Sequence, residues 1–177
     1  GGQVDRSLAS PVAWCPVSIV PYRNGHTGLY PHIIDRGKPG IIGVLADGRR
    51  FCNEGNGYHD YVEAMLRAIP AGQEVASWLV CTRAFQRRYG LGASRPSPLP
   101  VGPFVRSGYV KTGRTVDELA RNCGIDPAGL AATLAEYNAH AKRGEDPLFG
   151  RGTTIYNRYQ GDARVTPNPC IAPIERP

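Results

Sequence analysis

The sequence predicts an α+β fold, a small mixed sheet built around a hairpin and packed by several short helices. Three observations predict it. The run Gly40-Ile41-Ile42-Gly43-Val44-Leu45 is apolar and rich in β-branched residues, and Asp47-Gly48 behind it is a strong two-residue hairpin signal. From Tyr58 the hydrophobic period becomes helical, with Tyr58, Val62, Met65 and Ile69 on one face. The 22 glycines and 16 prolines among 177 residues keep the elements short and the turns frequent.

In order, residues 1–11 begin irregularly, and Val17-Ser18-Ile19-Val20 reads as an edge strand bounded by Pro16 and Pro21. Arg23-Asn24-Gly25-His26 is a turn, and Leu29 to Ile34 reads as a further strand containing His32. After the apolar run, Arg49 to Asn53 should return antiparallel. Gly55 and Gly57 then let the chain leave the sheet, with Asn56 available as a cap. A helix follows from about Tyr58 to Ile69, stopped by Pro70. Val75 to Cys81 is a strand, Thr82 to Tyr89 a helix ended by Gly90, and Gly92 to Pro103 a proline-rich surface loop suited to a lid. Tyr109 to Thr112 reads as a short strand. Thr115-x-x-Glu118 is a capping box and Gly124 a left-handed stop. Asp126 caps a second helix with Pro127 in its first turn and Leu130, Leu134, Tyr137 and Ala141 along one stripe. Tyr137, Asn138 and His140 read as structural residues there. Thr153 to Tyr159 is a short helix or strand, and the chain from Arg164 is an exit punctuated by prolines.

Composition narrows the function. The formal charge of +6 comes from 21 Lys and Arg against 15 Asp and Glu, but the basic residues are scattered, no run exceeds two, and no aromatic-basic stripe accompanies them. No nucleic-acid partner is expected. No stretch approaches the roughly 20 apolar residues of a transmembrane segment. Cys15, Cys52, Cys81, Cys123 and Cys170 form no Cys-x-x-Cys pair, which points to reduced thiols in a cytoplasmic protein and to no metal site.

The elbow between hairpin and helix concentrates polar chemistry: Arg50, Asn53, Glu54, Tyr58, His59 and Asp60. Gly-Arg-Arg-Phe-x-Asn-Glu followed by Tyr-His-Asp at a helix start resembles the substrate-capping domain of the FAD-dependent fumarate reductase, succinate dehydrogenase and 3-ketosteroid dehydrogenase superfamily. Residues 31–40, 115–120, 126–138, 146–152 and 167–174 are similar to further cap segments in the same order. The resemblance implies a substrate-capping domain over residues 1–165. Residues 166–177 would be an exit segment leading to an FAD-binding domain of the same polypeptide. The chain has no Gly-x-Gly-x-x-Gly after a strand, so it reads as a cap fragment lacking the Rossmann-type FAD domain and inactive alone.

In that family a small-molecule substrate lies over the flavin. Hydride passes between a substrate carbon and flavin N5, while a cap residue moves the proton on the neighbouring carbon. Four residues after the glutamate, the fumarate reductase pattern has arginine; here Tyr58 stands there, as in the ketosteroid dehydrogenase branch. Tyr58 is therefore either the base or the first apolar anchor of an amphipathic helix. A phenol with an ordinary pKa of about 10 needs help at neutral pH, and His59 and Arg50 are the candidates. Glu54, Asn53, Arg36 and His32 are the expected substrate-binding residues. For His32 the alternative is a hydrogen-bonded structural role, and for Arg36 plain surface charge. The competing class is a free-standing α+β module that binds a small molecule or a protein through the elbow.

Overall fold

A computed structural model describes residues 2–7, 12–22 and 25–175. Among them the strands form two antiparallel pairs rather than one sheet, with six short helices around them. The first pair joins β1 (Val17–Pro21) to β2 (Thr27–Pro31), with Ile19 opposite Leu29. The expected turn between them lies partly outside the described residues. Strand β2 stops at Pro31, so His32 falls just beyond it and begins a turn running into a single 3-10 turn at Asp35–Gly37.

The second pair joins β3 (Ile41–Val44) to β4 (Trp78–Cys81). Every residue of β3 is buried, which explains its unbroken apolar character. Alternation sends Ile42 and Val44 into the main core with Leu130, Leu134, Tyr137 and Ile171. On the other face, a Cβ at Gly43 would lie 2.5 Å from the Tyr61 hydroxyl, so this strand glycine admits a tyrosine from the next helix.

The Asp47-Gly48 turn forms, with Gly48 at φ 76° and its N–H donated to the Leu45 carbonyl. The return does not become a strand. Only a bridge between Val44 and Arg50 persists, on the edge of β3 opposite β4, and beyond it Arg50 turns inward to ionic partners. The turn instead packs on the next layer: Asp126 N–H donates to Ala46 O, and a side chain on Gly48 would strike the backbone at Gly129 and Leu130.

Helix α1 spans Tyr58–Ala68, and its N-cap is Gly57 without a side-chain bond. Asn56 is not the cap; its Oδ1 accepts from Asn157 Nδ2. Helix α2 (Arg83–Tyr89) is capped by Thr82 and stops at Gly90 with φ 84°. The proline-rich loop closes into α3 (Gly102–Arg106), and residues 109–112 form no strand. Helices α4 (Val116–Cys123) and α5 (Pro127–Ala141) form the expected pair. Thr115 Oγ1 accepts the Glu118 N–H, while the Glu118 carboxylate takes the N–H of Arg114, one residue before the cap. Helix α6 is Ile155–Gln160, capped by Thr154. The segment expected to leave the domain first runs through it, for Cys170, Ile171 and Ile174 belong to the core and Ile174 exchanges two hydrogen bonds with Asn138.

Candidate active site

A buried ionic clamp fixes the elbow. Arg50 Nε and Nη2 donate to the two oxygens of Glu54 at 2.8 Å each, and Nη1 and Nη2 reach Asp146 at 2.8 Å each. Its guanidinium lies between the rings of Tyr137 and Phe149, at 5.2 and 5.0 Å. Glu54 is fully buried and also accepts from Gly43 N–H and Arg151 Nη1. Burial alone would raise the Glu54 carboxyl, but Arg50, its hydrogen bonds and Arg151 outweigh that and hold it below the ordinary carboxylate range. Asp146 is held low by the same balance of burial against Arg50.

Two further guanidiniums are buried. Arg151 donates to the carbonyls of Ile41, Arg36 and Lys38. Arg36 has no carboxylate; the carbonyls of His32, Ile33, Glu54 and Asn56 and the Tyr61 ring at 4.5 Å take its charge instead. Asn53 donates to Phe149 O and Asn157 Oδ1 and accepts the Gly55 N–H.

The expected site residues therefore divide. Arg50, Asn53, Glu54 and Arg36 face inward with their polar groups engaged by protein, which corrects the picture of Arg36 as surface charge and of Arg50 as a group directed at Tyr58. His32 is buried too, with Nδ1 at 2.6 Å from Asp35 and Nε2 at 2.9 Å from Ser18. Tyr58 and His59 lie on the first turn of α1, where the clamped elbow delivers them outward. Tyr58 is 38% exposed and makes no side-chain hydrogen bond among the described residues. His59 Nδ1 accepts the Trp14 N–H at 3.1 Å, so its proton is on Nε2, facing Glu63 at 3.2 Å. That bond brings the partly exposed Trp14 alongside the helix start.

Asp146, Arg151, Asn157 and Trp14 were not singled out as site residues by sequence reasoning. Asp146 and Arg151 carried a signal, since both sit in the 146–152 segment that resembles the superfamily, but nothing local couples either to Arg50 or Glu54. The five cysteines are free thiols. Burial raises Cys52, with Glu54 adding to it, and pushes Cys81 up to about 12, so both remain neutral.

The site is thus a buried arginine–carboxylate clamp with an exposed phenol four residues after its glutamate, within an α+β unit. The chain belongs to the FAD binding domain family, which it matches over residues 1–175. It is 40% identical over 176 residues to 4-oxocyclohex-2-ene-1-carboxylate 5-dehydrogenase of Sinomonas cyclohexanicum, covering 99% of this chain and 30% of that protein. It is 31% identical over 148 residues to 3-oxosteroid 1-dehydrogenase of Mycobacterium tuberculosis, covering 81% of this chain and 26% of that one. The crystal structure of 3-ketosteroid delta1-dehydrogenase from Sterolibacterium denitrificans in complex with 1,4-androstadiene-3,17-dione superposes with a TM-score of 0.81 at 32% identity, over 93% of this chain and 30% of that chain. This chain thus spans under a third of the length of these relatives.

FAD is the cofactor of the family. Among the described residues both strand pairs are antiparallel, so no βαβ turn there presents a glycine-rich helix start to a diphosphate.

Proposed function

We infer that this chain is the substrate-capping part of a longer FAD-dependent dehydrogenase acting on a cyclic ketone, and that Tyr58 takes the proton from the carbon beside the carbonyl. The observation that carries it is the division of the elbow: the clamp is buried and closed on its own carboxylates, while Tyr58 stands exposed on the first turn of α1 with its hydroxyl open. The relatives support the substrate class, being named for oxocyclohexene carboxylate and 3-oxosteroid dehydrogenation. Flavin supplies the hydride acceptor; it is held by an FAD-binding domain of the same polypeptide, without which this chain does not turn over.

The chain's own part is positioning and proton transfer. Tyr58 accepts the proton as phenolate or through a relay, His59 fixes Trp14 beside it, and Arg50, Glu54 and Arg151 hold the backbone from which the phenol issues. Asn53 and Arg36 brace the same turn. We place the protein in the cytoplasm, in keeping with its free thiols.

Tyr58→Phe in the full-length enzyme, assayed on 3-oxosteroid and oxocyclohexane carboxylate substrates, tests this. Turnover should fall at least about 100-fold with KM changed little. Near-normal turnover in a folded variant would show that Tyr58 only packs.

A further inference from the structure

Away from the clamp, four side chains from three segments form one unbroken chain of hydrogen bonds. Ala93 N–H donates to the Tyr109 oxygen at 2.9 Å, Tyr109 and Ser18 hydroxyls are 2.6 Å apart, Ser18 Oγ lies 2.9 Å from His32 Nε2, and His32 Nδ1 lies 2.6 Å from Asp35. The carboxylate can only accept, so Nδ1 carries the His32 proton. Nε2 and the Ser18 hydroxyl share the next bond, and the Ser18 and Tyr109 hydroxyls the one after it. The junction is closely packed: a Cβ on Gly92 would collide with the Tyr109 hydroxyl and come within 3.1 Å of the His32 ring.

Ser18 is the hairpin's member of this chain. The opposite face of the same hairpin is uncovered: Val17, Ile19 and Leu29 are 50%, 65% and 70% exposed. Towards the body, Val20 is buried and Tyr30 sets its ring edge against His32 at 5.1 Å, while His32 N–H holds Pro16 O. The stem of β1 is tied separately, through Trp14 to His59, next to Tyr58.

We propose that the β1–β2 hairpin is a flap hinged beside Tyr58, and that Tyr109–Ser18–His32–Asp35 is the latch that fastens it to the segment of residues 93–109. Ser18 and Tyr109 are positioning residues: releasing their hydroxyl contact frees the hairpin from the proline-rich segment while the Trp14 tie keeps its stem in place. The consequence, that the flap gates substrate entry, rests on the reading of Tyr58 above; the latch does not.

Amide hydrogen exchange on the full-length protein separates the two. Ser18→Ala and Tyr109→Phe should each speed exchange across β1 and β2 about five- to tenfold, with α5 unchanged, and Ser18→Thr should restore wild-type protection. Unchanged exchange in both variants would overturn the latch. So would an equal rise in α5, because the bonds would then stabilise the whole fold rather than fasten one hairpin. Tyr58→Phe should leave hairpin exchange as in the wild type, so either reading can fail without the other.

Discussion

At the scale of residues, the clamp is where charge and burial oppose each other most strongly. Glu54 is surrounded by Arg50 and Arg151 with no access to water, so removing its charge leaves Arg50 with Asp146 alone and Arg151 with carbonyls but no carboxylate. Glu54→Gln should therefore cost about 3–5 kcal/mol of stability, read from denaturant unfolding. The pH dependence follows from the direction of the shifts. Glu54 and Asp146 both titrate lower in the folded chain than in the unfolded one. Their contribution is fully present above the ordinary carboxylate pKa of about 4 and is lost as pH falls through the lowered values. Stability measured from pH 7 downward should decline below about pH 4, and decline less steeply in Glu54→Gln; parallel pH profiles would contradict the assignment. The sequence displayed Arg50 and Glu54 four residues apart beside a glycine-rich elbow, but not their burial or their further partners. Asp146 and Arg151 come from 96 and 97 residues away, and no local pattern pairs them.

At the scale of elements, local chemistry was most legible where it was self-contained. Thr115, Gly124, Asp126 and Pro127 each do in the α4–α5 pair what their types dictate, and Gly124 sits at φ 73° with Ile125 N–H closing on Ala120 O. Asp126 takes the N–H groups of Ala128 and Gly129. Asp126→Ala should thus lower stability by about 1 kcal/mol and Asp126→Asn by much less, a contrast visible in denaturation midpoints. Equal losses would mean that the side chain packs rather than caps. Strands were read less well, because a strand needs a partner. Residues 49–53 have strand-like composition, but after one bridge to Val44 the chain is drawn inward by the Arg50–Glu54 and Arg50–Asp146 pairs. Residues 109–112 fold as irregular chain because Tyr109 is drawn to Ser18 and Ala93.

At the scale of the whole chain, the start of α1 joins the inward clamp, the outward Tyr58 and, through Trp14 on His59, the stem of the hairpin that we propose as a flap. The resemblance to the superfamily was legible because its motif is contiguous across the elbow. The place of residues 168–174 was not, since prolines suggest an exit and only the fold reveals that Ile171 and Ile174 fill space between β3 and α5. The central claim is that Tyr58 removes a proton from a carbon next to a ketone. Its most direct measurement follows loss of deuterium to water from an α-deuterated cyclic ketone bound to the full-length enzyme, comparing wild type with Tyr58→Phe. Wild type should wash out the label and the variant should retain it at least about 100-fold longer while still binding the ketone. Wash-out at the wild-type rate in the variant would contradict the account and assign the proton to another group.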